Sequence, residues 1–233
     1  LKPLTRYGYS IGSQPGTQYT GYTAVMDALG NIYTSAIQSP WKMYKTTPAG
    51  VTTEFLTHSN IDIRFMTIDS TGNAYFFGGV SGWSKLYKIP GTTSGGLSAS
   101  YSLYLDFAQV DNIGANPSPA YITADRNDEL YFILDNSYIY KIVDPSQGPV
   151  NSTSSSAIEL VASNVPVSIT GIAFNKANEM FLTSWPGYIY KLVNGNFNVF
   201  AGGGTQTENY DGVGTEAKFV QLNKIVFDAQ DNI

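Results

Sequence analysis

The chain contains no cysteine. Disulfides, thiolate metal centres and cysteine nucleophiles are thereby excluded, while the compartment stays open, because a reducing cytoplasm and a bacterial exterior without disulfides both fit. There is one histidine, His58, in Leu56-Thr-His-Ser-Asn60. It lies beyond an outer strand with no local sign of a catalytic triad, and a solvated loop residue is expected there. Charge is scarce as well. Charged residues make up 13% of the chain against about 25% in ordinary soluble proteins, so Ser, Thr and Asn, which fill 60 of the 233 positions, must solvate the surface. Such a surface is common in secreted and cell-surface proteins. The net charge is −5, and the basic residues stand singly from Lys2 to Lys224. No cluster can follow a phosphate backbone, which argues against a nucleic-acid partner. Uninterrupted apolar runs reach about four residues, as in Tyr131 to Leu134, where a membrane helix takes about 20. The chain opens at Leu1 without methionine, a basic stretch or an apolar stretch, which reads as a processed or trimmed start.

What is present is a repeat. A short apolar strand, an Asp or Asn, a tight polar turn and a second apolar strand recur in Thr23-Ala-Val-Met-Asp27-Ala-Leu-Gly30-Asn31-Ile-Tyr33 and again around Asp69, Asp125, Asn175 and Asp228. These five anchors are 42, 56, 50 and 53 residues apart. A Tyr-Lys pair follows the first four, at Tyr44-Lys45, Tyr87-Lys88, Tyr140-Lys141 and Tyr190-Lys191. Insertions fall after that pair, where loops vary most freely. Runs of four to six β-branched and aromatic residues between Gly, Asn, Asp and Ser turns predict a four-stranded antiparallel meander for each unit. In the first unit the strands are expected at about 23 to 26, 32 to 35, 42 to 46 and 51 to 56. The anchor Asp has a local purpose: its carboxylate accepts a backbone N–H two residues on, and Gly or Asn then takes the positive φ that closes the hairpin.

Four-stranded units of about 50 residues, repeated radially, build a β-propeller. The expected fold is therefore all-β, with four complete blades (about 11–60, 61–110, 111–165 and 166–202) and part of a fifth over 203–233. Leu4 to Ser10 reads as a closing strand, and six blades are expected in the full-length protein. One stretch is more specific. Ala201-Gly-Gly-Gly-Thr-Gln-Thr-Glu-Asn-Tyr-Asp211-Gly212-Val-Gly214-Thr215-Glu-Ala217-Lys-Phe219 and the following Leu222 to Asp228 closely resemble the inter-blade junction of NHL-repeat propellers, with Leu222 where that family usually has proline.

Among chemistry-bearing motifs, Gly212-Val-Gly214-Thr-Glu-Ala217 formally fits a dinucleotide fingerprint but lacks the βαβ setting such a loop requires. Propellers related to the NHL repeats include calcium-dependent lactonases, whose channel ion is held by Glu, Asn and Asp from several blades; hard oxygen ligands are what Ca²⁺ requires. No matching ligand segment is recognisable here, so no cofactor is expected and Ca²⁺ stays a secondary reading. Asp62, Asp111 and Asp211 fall in successive inter-blade connections and are expected to be solvated carboxylates. Asn151-Ser-Thr153 matches a glycosylation sequon in a Ser-rich connection. The aromatics are more suggestive. Trp41, Trp83 and Trp185 fall in the hairpin joining the second and third strands of three blades, and Tyr138 holds that place in the remaining one. Equivalent hairpins share one rim, so these four side chains, with Tyr210 from the glycine-rich junction, are candidate binding anchors for a protein or glycan. The alternative is that they plug the blade tops. The expected function is a non-enzymatic secreted or cell-surface binding module of a larger exported protein, the rival being a lactonase-like hydrolase or lyase with a channel metal.

Overall fold

A computed structural model describes residues 23–36, 41–58, 61–79, 84–107, 110, 118–135, 138–143, 158–163, 165–166, 168–203, 209–228 and 230–233. The first sheet comprises β1 (Ala24–Met26), β2 (Ile32–Ser35), β3 (Trp41–Thr46) and β4 (Thr52–His58), and the second β5 (Arg64–Ile68), β6 (Ala74–Gly78), β7 (Lys85–Ile89) and β8 (Ser102–Asp106). The third holds β9 (Pro119–Ala124), β10 (Leu130–Leu134), β11 (Tyr138–Ile142) and β12 (Ile158–Ser163), and the fourth β13 (Ile169–Phe174), β14 (Met180–Ser184), β15 (Tyr188–Val193) and β16 (Asn196–Gly202). In every sheet the strands pair in chain order, all antiparallel. Among the described residues the only named helical element is a 3-10 turn over Gly214–Glu216.

Each anchor turn is built as its sequence requires. Asp27 Oδ1 accepts the N–H groups of Leu29 and Asn31, and Oδ2 accepts the Asn31 amide and the Tyr33 hydroxyl at 2.8 and 2.9 Å. Asp69 repeats this with Asn73 and Tyr75, and Asp228 with Gln230 and Asn232. The residue three after each anchor takes the left-handed φ: Gly30, Gly72, Asp128, Asn178 and Asp231. Burial alone would raise the Asp27 carboxyl, but the bonds from Asn31, Tyr33 and Leu29 outweigh it and hold it below the usual carboxylate range.

The Tyr-Lys pair also has a structural cause. The register sets Lys45, Lys88, Lys141 and Lys191 opposite Tyr33, Tyr75, Tyr131 and Phe181, with the ammonium 6.0, 5.6 and 5.7 Å from the rings of Tyr33, Tyr75 and Phe181, within cation–π reach. On the same rings packs the residue that bulges from the fourth strand. Phe55 meets Tyr33 at 4.8 Å, Tyr104 meets Tyr75 at 5.2 Å and Phe200 meets Phe181 at 5.1 Å. In the third sheet the bulge residue is the smaller Val161.

The first strands of successive sheets neighbour one another, β1 beside β5, β5 beside β9 and β9 beside β13. The Met66 N–H donates to Thr23 Oγ1 at 3.0 Å and the Ala124 N–H to Thr67 Oγ1 at 3.3 Å. Apolar clusters fill the space between adjacent sheets; that between the second and third is centred on the buried Phe77, Phe107 and Phe132, each contributing about 2 to 3 kcal/mol. The turns are stapled as well. Ser70 donates through N–H and hydroxyl to Asp128 at 2.6 and 2.5 Å, the Arg126 N–H to Asn178 Oδ1 at 3.0 Å, and the Lys176 N–H to Asp231 Oδ1 at 2.8 Å. All the anchor turns therefore lie on one rim. The fifth unit shows the last of these turns, with no named strand among its described residues.

The connections between third and fourth strands differ. Residues 90–101, between β7 and β8, fold back on themselves (Ser98 N–H to Pro90 O, 2.8 Å) and reach over the first sheet's turn: a Cβ placed on Gly95 would lie 3.5 Å from that of Ala28. Between β15 and β16 stand only Asn194 and Gly195, both at positive φ, as a two-residue hairpin demands.

Candidate functional site

Because antiparallel strands alternate direction and the anchor turns share one rim, the hairpins joining second to third strands lie on the other. Trp41 is the first residue of β3, Tyr138 the first of β11, and Trp185 stands between β14 and β15. The structure thus puts three of the five candidates at the same hairpin end of three sheets but not at one register position: the counterpart of Tyr138 is Tyr188 in the fourth sheet and Lys42 in the first. Trp83 lies outside the described residues, as do Asp111, the 151–153 sequon and Leu4 to Ser10.

Trp185 is 48% exposed and Tyr138 41%; Trp41 is half-buried. The Trp185 N–H donates to Ser168 O at 2.9 Å, which fixes the hairpin backbone while its ring faces solvent. Behind it, Gly187 has φ +100°, and a Cβ there would stand 1.9 Å from Phe219 O, so only glycine allows the hairpin to meet the 217–219 segment. Tyr210, 64% exposed, exchanges backbone hydrogen bonds with Lys218 at 3.0 and 2.9 Å. Trp185 and Tyr210 therefore border the same junction. Gly212-Val-Gly214-Thr-Glu-Ala217 forms its 3-10 turn through Glu216 N–H to Val213 O and Ala217 N–H to Gly214 O, with no βαβ unit around it.

Two expectations are corrected. His58 is not a solvated loop residue: β4 runs on to include it, the register sets it opposite Trp41, and its ring packs edge-on against Tyr101 at 5.8 Å. Asp62 is half-buried and accepts from Arg64 Nε at 2.8 Å, because Ile61 and Ile63 on either side are buried in the core. Asp211 is exposed as expected. His58 stands opposite Trp41 in the register, while Tyr101 packs on His58 from the cluster between the first and second sheets. No local signal marks them: Phe55 and Leu56, side by side at the bulge, break the alternation of the strand, and Tyr101 lies 43 positions from His58.

A channel metal would need several hard oxygen ligands together. Among the described residues no three His, Asp or Glu side chains gather to hold an ion; Asp27, Asp69, Asp125 and Asp228 bind their own turns, while Asp106, Glu54, Glu129 and Glu179 pair with lysines.

No protein-family model matches the chain, and no curated protein matches it by sequence. Solved structures do. Virginiamycin B lyase from Staphylococcus aureus is 18% identical with a TM-score of 0.52, covering 79% of this chain and 56% of that one. An auxiliary nutrient binding protein from Bacteroides thetaiotaomicron is 14% identical with a TM-score of 0.58, covering 90% and 54%. A gluconolactonase from Xanthomonas campestris is 10% identical with a TM-score of 0.52, covering 74% and 57%. The fold is a β-propeller. At these identities the likeness shows the propeller alone, and the chain spans little more than half the length of the structures it matches. Propellers among them include enzymes and a nutrient-binding protein.

Proposed function

We propose that this propeller is a non-enzymatic binding module, NHL-like in its repeats and part of an exported or cell-surface protein that closes as a six-bladed ring. It engages a protein or glycan partner through the hairpin rim. The observation that carries the reading is that Trp41, Tyr138 and Trp185 all stand at the hairpin end between second and third strands in three blades, Tyr138 and Trp185 being exposed there. Flat aromatic surfaces on a rigid scaffold give contact area at little entropic cost. The junction over 199–233, the low charge and the nutrient-binding propeller among the similar structures support it. The lyase and the gluconolactonase among the similar structures support the rival reading, an enzyme of the hydrolase or lyase class.

The test is capture. Wild-type protein and the triple variant Trp41→Ala/Tyr138→Ala/Trp185→Ala are screened on a glycan array and against displayed peptides. Each exposed aromatic anchor contributes about 2 kcal/mol, so ligands retained by the wild type should be lost by the triple variant. Equal retention overturns the proposal.

A further inference from the structure

In the second blade the connection between third and fourth strands plugs the cleft to the blade before it. Leu97, 7% exposed, sits in a cluster with Tyr33, Phe55, Ile68, Ala74 and Ile89, drawn from both blades, and its N–H donates to the Tyr33 hydroxyl at 3.3 Å. The fourth blade has no such loop: Asn194-Gly195 makes its turn. Among the described residues the third and fourth blades instead leave a shallow hollow of about 450 Å³, open to solvent, over the buried Tyr131, Phe174 and Met180, where the Tyr131 and Phe174 rings meet at 4.8 Å; its volume is within the roughly 300 to 1,000 Å³ of ligand sites.

Its walls repeat the plugged cleft position by position. Tyr131 stands where Tyr33 does, six residues after the anchor and opposite the lysine. Val161 replaces Phe55 as the bulge residue of the fourth strand. Phe174 takes the place of Ile68, Met180 that of Ala74 and Leu192 that of Ile89. The Tyr131 hydroxyl donates to Glu129 at 3.2 Å as Tyr33 donates to Asp27, and a hydroxyl oxygen that has given its proton still accepts. At the mouth Lys191 pairs with Glu179 at 2.7 Å, giving the apolar walls a polar border.

From this internal precedent we propose that the cleft between the third and fourth blades docks a loop of a partner protein. The loop seats a leucine-sized apolar side chain among Tyr131, Val161 and Phe174 and gives a backbone N–H to the Tyr131 hydroxyl, as residues 90–101 do in cis one cleft away. A polypeptide rather than a free apolar molecule is the occupant, because the chain's own occupant uses both a side chain and a main-chain donor. This site lies on the anchor-turn rim, opposite the aromatic hairpins, and does not depend on the function assigned to them.

The probe is a synthetic peptide of residues 90–100, titrated into the isotope-labelled protein with amide shifts followed by NMR. Saturable shifts of Tyr131, Asn178, Lys191 and Gly195 are expected, weakened at least about tenfold when the peptide carries Leu97→Ala. The protein variant Val161→Trp, which fills the cleft, should abolish them. A second variant with residues 90–100 grafted in place of Asn194-Gly195 fills the cleft in cis; it should block the peptide and raise Tm. Trp185→Ala should leave peptide binding unchanged, separating this test from that of the hairpin rim. Absence of saturation up to about 5 mM, equal affinity of the Leu97→Ala peptide, or NMR contacts showing that another part of this chain already fills the cleft each overturn the proposal.

Discussion

Replacing Leu97 by Ala asks how much one plugging side chain holds two blades together. Leu97 is buried among residues of the first and second blades, and the loop carrying it has its own backbone bonds, from Thr92 N–H to Gly96 O and from Ser98 N–H to Pro90 O, at 2.7 and 2.8 Å. The variant should therefore keep the loop and lose the side chain's burial. Leu→Ala in a core costs about 2 to 5 kcal/mol, the upper end where the site cannot relax. Here one wall is a connection that can settle, so about 3 kcal/mol is expected, equivalent to roughly 6 to 12 °C in Tm for a chain of this size. Tyr33→Phe perturbs the same joint from the other side, removing the hydroxyl that donates to Asp27 and accepts from Leu97; leaving that buried N–H unpaired costs about 1 to 3 kcal/mol. Burial first, and Asp27 after it, push the Tyr33 phenol up to about 12, while the Leu97 amide acts in the opposite direction. The phenol thus stays protonated at neutral pH. Urea unfolding of both single variants and the double measures the coupling, expected at about 1 kcal/mol. A Leu97→Ala loss below about 0.5 kcal/mol, the scale of an ordinary surface change, would refute the plug and weaken the proposal built on it.

Other perturbations have outcomes of known sign. The folded Asp27 carboxyl lies below its unfolded value of about 3.9, so its stabilisation is complete above that value and is lost as pH falls through the folded one. Asp27→Asn should flatten the decline in stability below about pH 4, read by urea melts at several pH values; an unchanged slope contradicts it. Gly187→Ala should cost at least about 2 kcal/mol, from left-handed strain and the collision with Phe219 O, and a wild-type Tm would show that the junction packs differently. Asp128→Gly keeps the positive φ while removing both bonds from Ser70, and should lower stability by about 1 kcal/mol, with Ser70→Ala adding little to it in a double-mutant cycle.

The repeat was legible because its residues act locally. Asp27 and its counterparts form hairpin turns from their own carboxylates, and Tyr-Lys marks a strand whose lysine faces an aromatic ring; both leave a fixed spacing in the chain. What acts between blades was not legible. Asp128, Asn178 and Asp231 read as turn residues, and only the juxtaposed turns show that they bind the neighbouring blade. Leu97 reads as an apolar residue in a Gly/Ser-rich loop, because nothing within ten residues tells which blade it enters. His58 was misplaced for a similar reason: Tyr101, 43 positions away, supplies the packing that carries β4 to its end. Strand alternation alone sets the rim on which Trp41, Tyr138 and Trp185 stand, but not their positions within the hairpins, where Tyr138 matches Tyr188 rather than Trp185.

The central claim is that this rim binds rather than packs, and Trp185→Ala tests it most directly. The ring is about half exposed, so titration of a captured ligand alongside a thermal melt separates the two roles. Binding through the rim predicts an affinity loss of about 30-fold, the equivalent of about 2 kcal/mol, with Tm held within about 3 °C. Unaltered affinity together with a Tm drop of about 8 °C or more, the mark of an emptied core site, would contradict it.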